Sequence, residues 1–209
     1  TLSFRGNYGL VFRMYNDGLA YRFTTKMKND IIVVNEEAGY NFSSDHTAFA
    51  PYVNSKKATF VEQFMNSFEQ AYVHEPITKL NSKRLMILPF LVELDGGKKL
   101  CITEADLEDY PGMFLNNSTD KPMLKPVFAP CPKVKKQGGH NNLQMLVEER
   151  EDYIAKTNGT RAFPWRVFVV SENDKQLADC DMVYRLASPC RLQDVSWVKP
   201  GKVAWDWWN

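Results

Sequence analysis

Charge of one sign is what this chain most lacks. It holds 26 Lys and Arg against 25 Asp and Glu, a net charge of +1 over 209 residues. Proteins that grip nucleic acid concentrate positive charge to neutralise phosphates, so the balance argues against that class. The one basic cluster, Lys133, Lys135 and Lys136 beside prolines and Gly138-Gly139, reads as a solvated loop. No apolar run of about 18 residues exists, so no segment reads as a membrane-crossing helix. The four cysteines, Cys101, Cys131, Cys180 and Cys190, form no C-x-x-C pair. That spacing argues against a zinc knuckle or a dithiol redox motif, while the even count permits disulfides without requiring them. Cys180 and Cys190 flank Met182–Leu186 and are the pair that local spacing brings nearest. Histidine is scarce too: His46, His74 and His140 show no ligand spacing, and no tetrahedral set completes around them. The first two read as solvent or structural residues. The nucleophile elbow G-x-S-x-G, the G-x-G-x-x-G fingerprint and the P-loop are all missing, which removes the usual hydrolase elbow and nucleotide cradles.

What the chain does have is a supply of strands. A length of 209 residues at 44% hydrophobic content is enough for one sizeable core. Tyr8–Tyr15 and Leu19–Thr25 flank Asn16-Asp17-Gly18, and Asp-Gly between alternating runs is a strong hairpin signal. Ile31–Val34 is a short β-branched strand. Leu85–Leu94 runs into Asp95-Gly96-Gly97 and is followed by Lys99–Thr103, a second hairpin. Met113–Leu115, Met123–Phe128, Arg166–Val170 and Met182–Leu186 complete the set. Strand signals about every ten residues, with turn residues between, point to an antiparallel β-sandwich rather than a βαβ fold. Two segments resist. Thr59–Ala71 has apolar residues at helical spacing and is left open. Leu143–Ala155 also has helical periodicity. Gln137–Asn142 reads as a mobile loop.

The C-terminal stretch is Ser196-Trp-Val-Lys-Pro-Gly-Lys-Val-Ala-Trp-Asp-Trp-Trp-Asn209, with three of the five tryptophans in its last five residues. So dense an aromatic run suits a packed strand or a platform for a flat ligand such as a sugar. Lys199-Pro200-Gly201-Lys202 is a turn before it. The organisation expected is a domain over residues 1–195, N-terminally truncated. Residues 196–209 are then a linker and the first strand of a second domain.

This ending resembles the junction in glycoside hydrolase family 97, where an N-terminal sandwich hands over to a catalytic (β/α)8 barrel. Three segments carry the resemblance further: Phe12-Arg-Met-Tyr-Asn-Asp-Gly-Leu-Ala-Tyr-Arg-Phe23, Ile102-Thr-Glu-Ala-Asp-Leu-Glu-Asp-Tyr-Pro-Gly-Met113, and Gly159-Thr-Arg-Ala-Phe-Pro-Trp-Arg166. The resemblance implies a galactose-mutarotase-like super-sandwich, and it turns Leu143–Ala155 into a strand. It also implies a calcium-dependent, exo-acting α-galactosidase or α-glucosidase of the bacterial periplasm or exterior. Its oligosaccharide substrate and both catalytic carboxylates then belong with the barrel, so these 209 residues alone are expected to be inert.

Glu104 is the candidate metal ligand. It follows Lys99–Thr103, and Asp106, Glu108 and Asp109 cluster with it. Calcium takes about six to eight oxygens, which carboxylates can supply. The spacing is not that of an EF-hand loop, and by itself it reads equally as an acidic surface turn. The resemblance implies that Glu104 reaches into the barrel and shares a calcium ion with carboxylates there. Asp206 and Trp208 are the candidate substrate contacts, because alternate residues of a barrel strand share one direction. Trp205 and Trp207 take the other. Arg161, Trp165 and Arg166 read as hairpin and interface residues. A non-catalytic carbohydrate-binding sandwich is the competing reading, and a mutarotase-like epimerase a third, although no histidine stands out as its acid or base.

Overall fold

Alternating patterns become antiparallel strands throughout. In the computed structural model, residues 1–54, 59–65 and 70–201 are described. Asn16 and Asp17 turn Tyr8–Tyr15 into Gly18–Lys26, in register from Tyr15 opposite Gly18 to Tyr8 opposite Thr25. Gly18 is required there: its φ is +151°, and a Cβ would stand 2.1 Å from the Phe168 carbonyl oxygen. Among the described residues this hairpin lies in a nine-stranded sheet. Its order is Leu2–Phe4, Tyr8–Tyr15, Gly18–Lys26, Trp165–Ser171, Lys99–Ala105, Phe90–Glu93, Thr47–Ala50 and Val73–Pro76. Thr160–Ala162 also pairs with Gly18–Lys26.

A second layer covers one face. Met113–Asn116, Met123–Phe128 and Tyr40–Asn41 form a three-stranded sheet, and Ala155–Thr157 pairs with Ile31–Val33 beside it. Ala48, Ala50, Phe90, Val92 and Ile102 of the large sheet meet Met113, Leu115, Leu124 and Phe128 of the small one in one buried cluster. That inter-sheet core is the sandwich the alternation predicts. The other face of the large sheet carries Ala20, Ala105, Trp165, Val167 and Val169. Two short helices, Asp174–Ala178 and Met182–Leu186, cover it.

The structure corrects four local expectations. Met182–Leu186 is a helix, not a strand. Its Met182 and Leu186, four residues apart, are buried on the large sheet while Tyr184 is 83% exposed. Leu85–Leu94 is a strand only over Phe90–Glu93, and a cis Leu88–Pro89 bond precedes it. The Lys133–Lys136 cluster lies on strand Pro132–Gly138 rather than in a loop. It pairs with Gln144–Arg150, and Lys133 and Lys136 face Glu149 and Glu148. The stretch 137–142 is half strand, half a tight turn at His140–Asn142. In Thr59–Ala71 a capped helical turn forms at Phe60–Gln63; residues 66–69 lie outside the described part. Gln144–Arg150 is a strand, as the family resemblance implies and the periodicity does not.

All four cysteines are free thiols. Burial, then the nearby Cys180, pushes the Cys101 thiol up to about 11. Iodoacetamide at pH ~8 is therefore expected to label exposed Cys190 first and Cys101 last, because the thiolate is the nucleophile. Peptide mass spectrometry over a labelling time course checks this; equal rates at the two sites contradict it.

Candidate functional site

Glu104 sits near the end of strand Lys99–Ala105, on the face that looks into the sandwich. Its neighbour across the sheet is Arg166 of strand Trp165–Ser171. Alternation puts Arg166 on the same inward face as Phe168, in a strand otherwise mostly apolar and largely buried. A guanidinium in such a place needs partners. Arg166 is 1% exposed and finds two. Its Nε and Nη2 donate to the two carboxylate oxygens of Glu36, each at 2.7 Å, and its Nη1 donates to Glu104 Oε2 at 2.7 Å. Glu36 is itself buried, and Tyr110 donates to it at 3.4 Å. The Phe128 ring lies under the guanidinium, 5.0 Å from its centre. Burial works against the Arg166 charge, but the hydrogen bonds and charge of Glu36, then the charge of Glu104, outweigh it and raise its pKa.

Glu104 is held from a second side. The Met113 backbone N–H donates to both of its oxygens at 3.2 Å. Gly112 leaves room for this: a Cβ there would stand 3.3 Å from Oε1. Burial raises the Glu104 pKa, and Arg166 and the Met113 N–H offset part of the rise. A carboxylate has about four lone-pair positions. Arg166 and Met113 leave capacity on Oε1, so Glu104 fits the part of one calcium ligand. It does not make a site by itself. Among the described residues, no three His, Cys, Asp or Glu side chains stand close enough to hold a metal ion.

The other acids of the turn are used differently. Asp106 and Asp109 have φ of +59° and +46°, left-handed conformations that aspartate tolerates well. Their abundance therefore has a local cause in turn chemistry. Arg22 pairs with Asp106 at 3.4 Å, and the Ser188 N–H donates to Asp106 at 2.8 Å. Arg191 pairs with Glu108. Arg161 donates to the carbonyls of Glu108 and Asp109 at 3.0 and 3.3 Å. The carboxylates of Glu104, Asp106 and Glu108 thus turn to three different arginines, Arg161 holds the turn's backbone, and the acids do not converge on one point. Asp206 and Trp208, with Trp205 and Trp207, lie outside the described residues. His74 binds Glu93 at 2.8 Å and stacks on Phe49, and His46 packs against Phe42; both are structural residues.

Two participants escape a reading by residue type. Arg166 had a signal, a charge at an inward position of an apolar strand. Glu36, in the polar run Asn35-Glu36-Glu37, had none.

Known proteins resemble this chain in sequence and in fold. The family described as "Glycosyl-hydrolase 97 N-terminal" matches residues 1–189. A retaining alpha-galactosidase from Bacteroides thetaiotaomicron is 52% identical over 210 aligned residues, covering all of this chain and 32% of that protein. A glycoside hydrolase family 97 enzyme from Pseudoalteromonas sp. strain K8, solved with acarbose, superposes with a TM-score of 0.69 at 24% identity. The match covers 93% of this chain and 25% of that one. The same enzyme solved with panose gives 0.68. The chain therefore spans about a third of the curated relative and a quarter of the solved ones.

Proposed function

Since the chain belongs to glycoside hydrolase family 97, as its N-terminal domain, we propose that it serves a calcium-dependent, exo-acting α-glycosidase. In this reading it packs against the catalytic barrel and lends that barrel one ligand, Glu104. The identity of 52% to a retaining alpha-galactosidase favours terminal α-linked galactose as the sugar released, with retention. Family membership also favours this reading over a free-standing carbohydrate-binding module.

The carrying observation is the Glu104 carboxylate: fixed by Arg166 and Met113, with lone-pair capacity left on Oε1. When bound, calcium supplies a concentrated positive charge that orients oxygen groups around it. Glu104 supplies one negative oxygen, held in place before the ion arrives. Glycoside hydrolysis needs two carboxyl groups flanking the scissile bond, about 5–5.5 Å apart in retaining enzymes. Glu36 and Glu104 cannot act that way, because both are engaged by Arg166 within the sandwich. The catalytic pair belongs to the barrel in this reading. Asp206 and Trp208 are its proposed sugar contacts, and the periplasm or the cell exterior is its proposed location.

In the full-length enzyme, Glu104→Gln keeps size and shape and removes the charge. It is expected to weaken calcium binding by about tenfold or more and to lower turnover of an aryl α-galactoside. The circular dichroism of the sandwich should not change. Unchanged turnover together with an unchanged response to chelator overturns the assignment.

A further inference from the structure

Glu36, Arg166 and Glu104 combine two carboxylates with one guanidinium, so the group carries one negative charge in excess. Arg166 and Glu36 are nearly sealed, with 1% and 5% of their side chains exposed, and Glu104 retains 14%. The hydroxyls close by, Tyr110 on Glu36 and the Tyr21–Tyr40 pair at 3.1 Å, are neutral. The order of contact is also fixed. Glu36 takes the two-pronged side of the guanidinium, and only Nη1 remains for Glu104. The strongest ion pair is therefore internal to Glu36 and Arg166. Glu104 stands at the outer end, tied to the guanidinium by Oε2 alone and accepting from the Met113 N–H through both oxygens, and it carries the unbalanced charge.

We propose that Glu36 and Arg166 are positioning residues for Glu104: Arg166 fixes its carboxylate through Oε2, Glu36 fixes Arg166, and the excess charge stays on Glu104 to meet a divalent cation. The inference rests on Glu104 being a calcium ligand, as argued above, and extends it to two residues buried behind it. Partners that orient a metal-binding carboxylate commonly contribute about 10- to 100-fold in metal affinity.

The test is calorimetric titration of calcium into the full-length, calcium-stripped protein. Glu36→Gln removes the excess charge while keeping the shape. The double variant Glu36→Leu/Arg166→Met keeps the net charge of the group at Glu104 and removes only the tether. A buried pair replaced by apolar side chains leaves no unpaired charge behind, so the double variant is expected to fold. Both variants should bind calcium about 10- to 100-fold more weakly than the parent. A purely structural brace would lower the unfolding midpoint and leave the calcium affinity of the folded protein where it was. That result, in either variant, overturns the proposal. So does failure of both to fold, which would mark the pair as a brace. Glu104→Gln, titrated alongside, separates the two layers. If it binds calcium like the parent, the ligand assignment itself fails; if it alone is weakened, only the positioning role does.

Discussion

Arg166→Met by itself is expected to cost the domain about 3–5 kcal/mol, because it leaves Glu36 buried with no cation to meet its charge. This is a large share of the roughly 5–15 kcal/mol that holds a typical domain together. The loss should depend on pH, and the sign follows from Glu104. Its folded pKa lies above its ordinary 4.5, so the folded state binds its proton more tightly than the unfolded chain does. The ionised form is then a penalty on folding, present in full above the folded pKa and removed as pH falls toward 4.5. Without Arg166 the folded pKa rises further. Urea unfolding of variant and parent at about pH 8 and about pH 5 should show the gap narrowing at the lower value. A gap that widens on acidification would mean that Arg166 is not the cation these carboxylates depend on.

Phe90→Ala provides the contrast. Phe90 is fully buried on strand Phe90–Glu93, between the two layers. Its removal should cost about 3–5 kcal/mol through lost transfer energy and the cavity left behind. No ionisable group is involved, so the loss should be equal at both pH values. At this chain length each kcal/mol is worth about 2–4 °C of melting temperature, which scanning calorimetry resolves easily. A loss below about 1 kcal/mol would mean that the two sheets close over the gap, and that the inter-sheet core is softer than its burial indicates.

Much of the architecture is legible in the residues. Asp17-Gly18 and Asp95-Gly96-Gly97 mark their turns because few other residues tolerate those backbone angles. Trp165–Ser171 is mostly apolar on both faces, as befits a central strand covered by the small sheet on one side and by helices on the other. Met182–Leu186 misled because five apolar-rich residues fit a strand or a helix equally; only the sheet they pack on distinguishes Met182 and Leu186 from Tyr184. The site is less legible. Glu104 stands out through the family resemblance, since an acidic turn alone reads as solvent-facing, and two of its aspartates are in fact explained by positive φ. Arg166 could have been flagged by its inward position. Glu36 could not: its partner is 130 residues away in the chain.

That separation has a kinetic side. The Glu36–Arg166 contact spans 130 residues and the Glu104–Arg166 contact 62. Both wait on segments far apart in the chain to be brought together, an entropic cost that local hairpins such as Tyr8–Tyr15 with Gly18–Lys26 do not face. Contacts of this kind are expected to form late on the folding path, which low φ-values at Glu36 and Arg166 would check. They contribute little to the speed of assembly and much to the barrier against coming apart. On that expectation the buried arginine is less a nucleus than a latch, closed late and opened early.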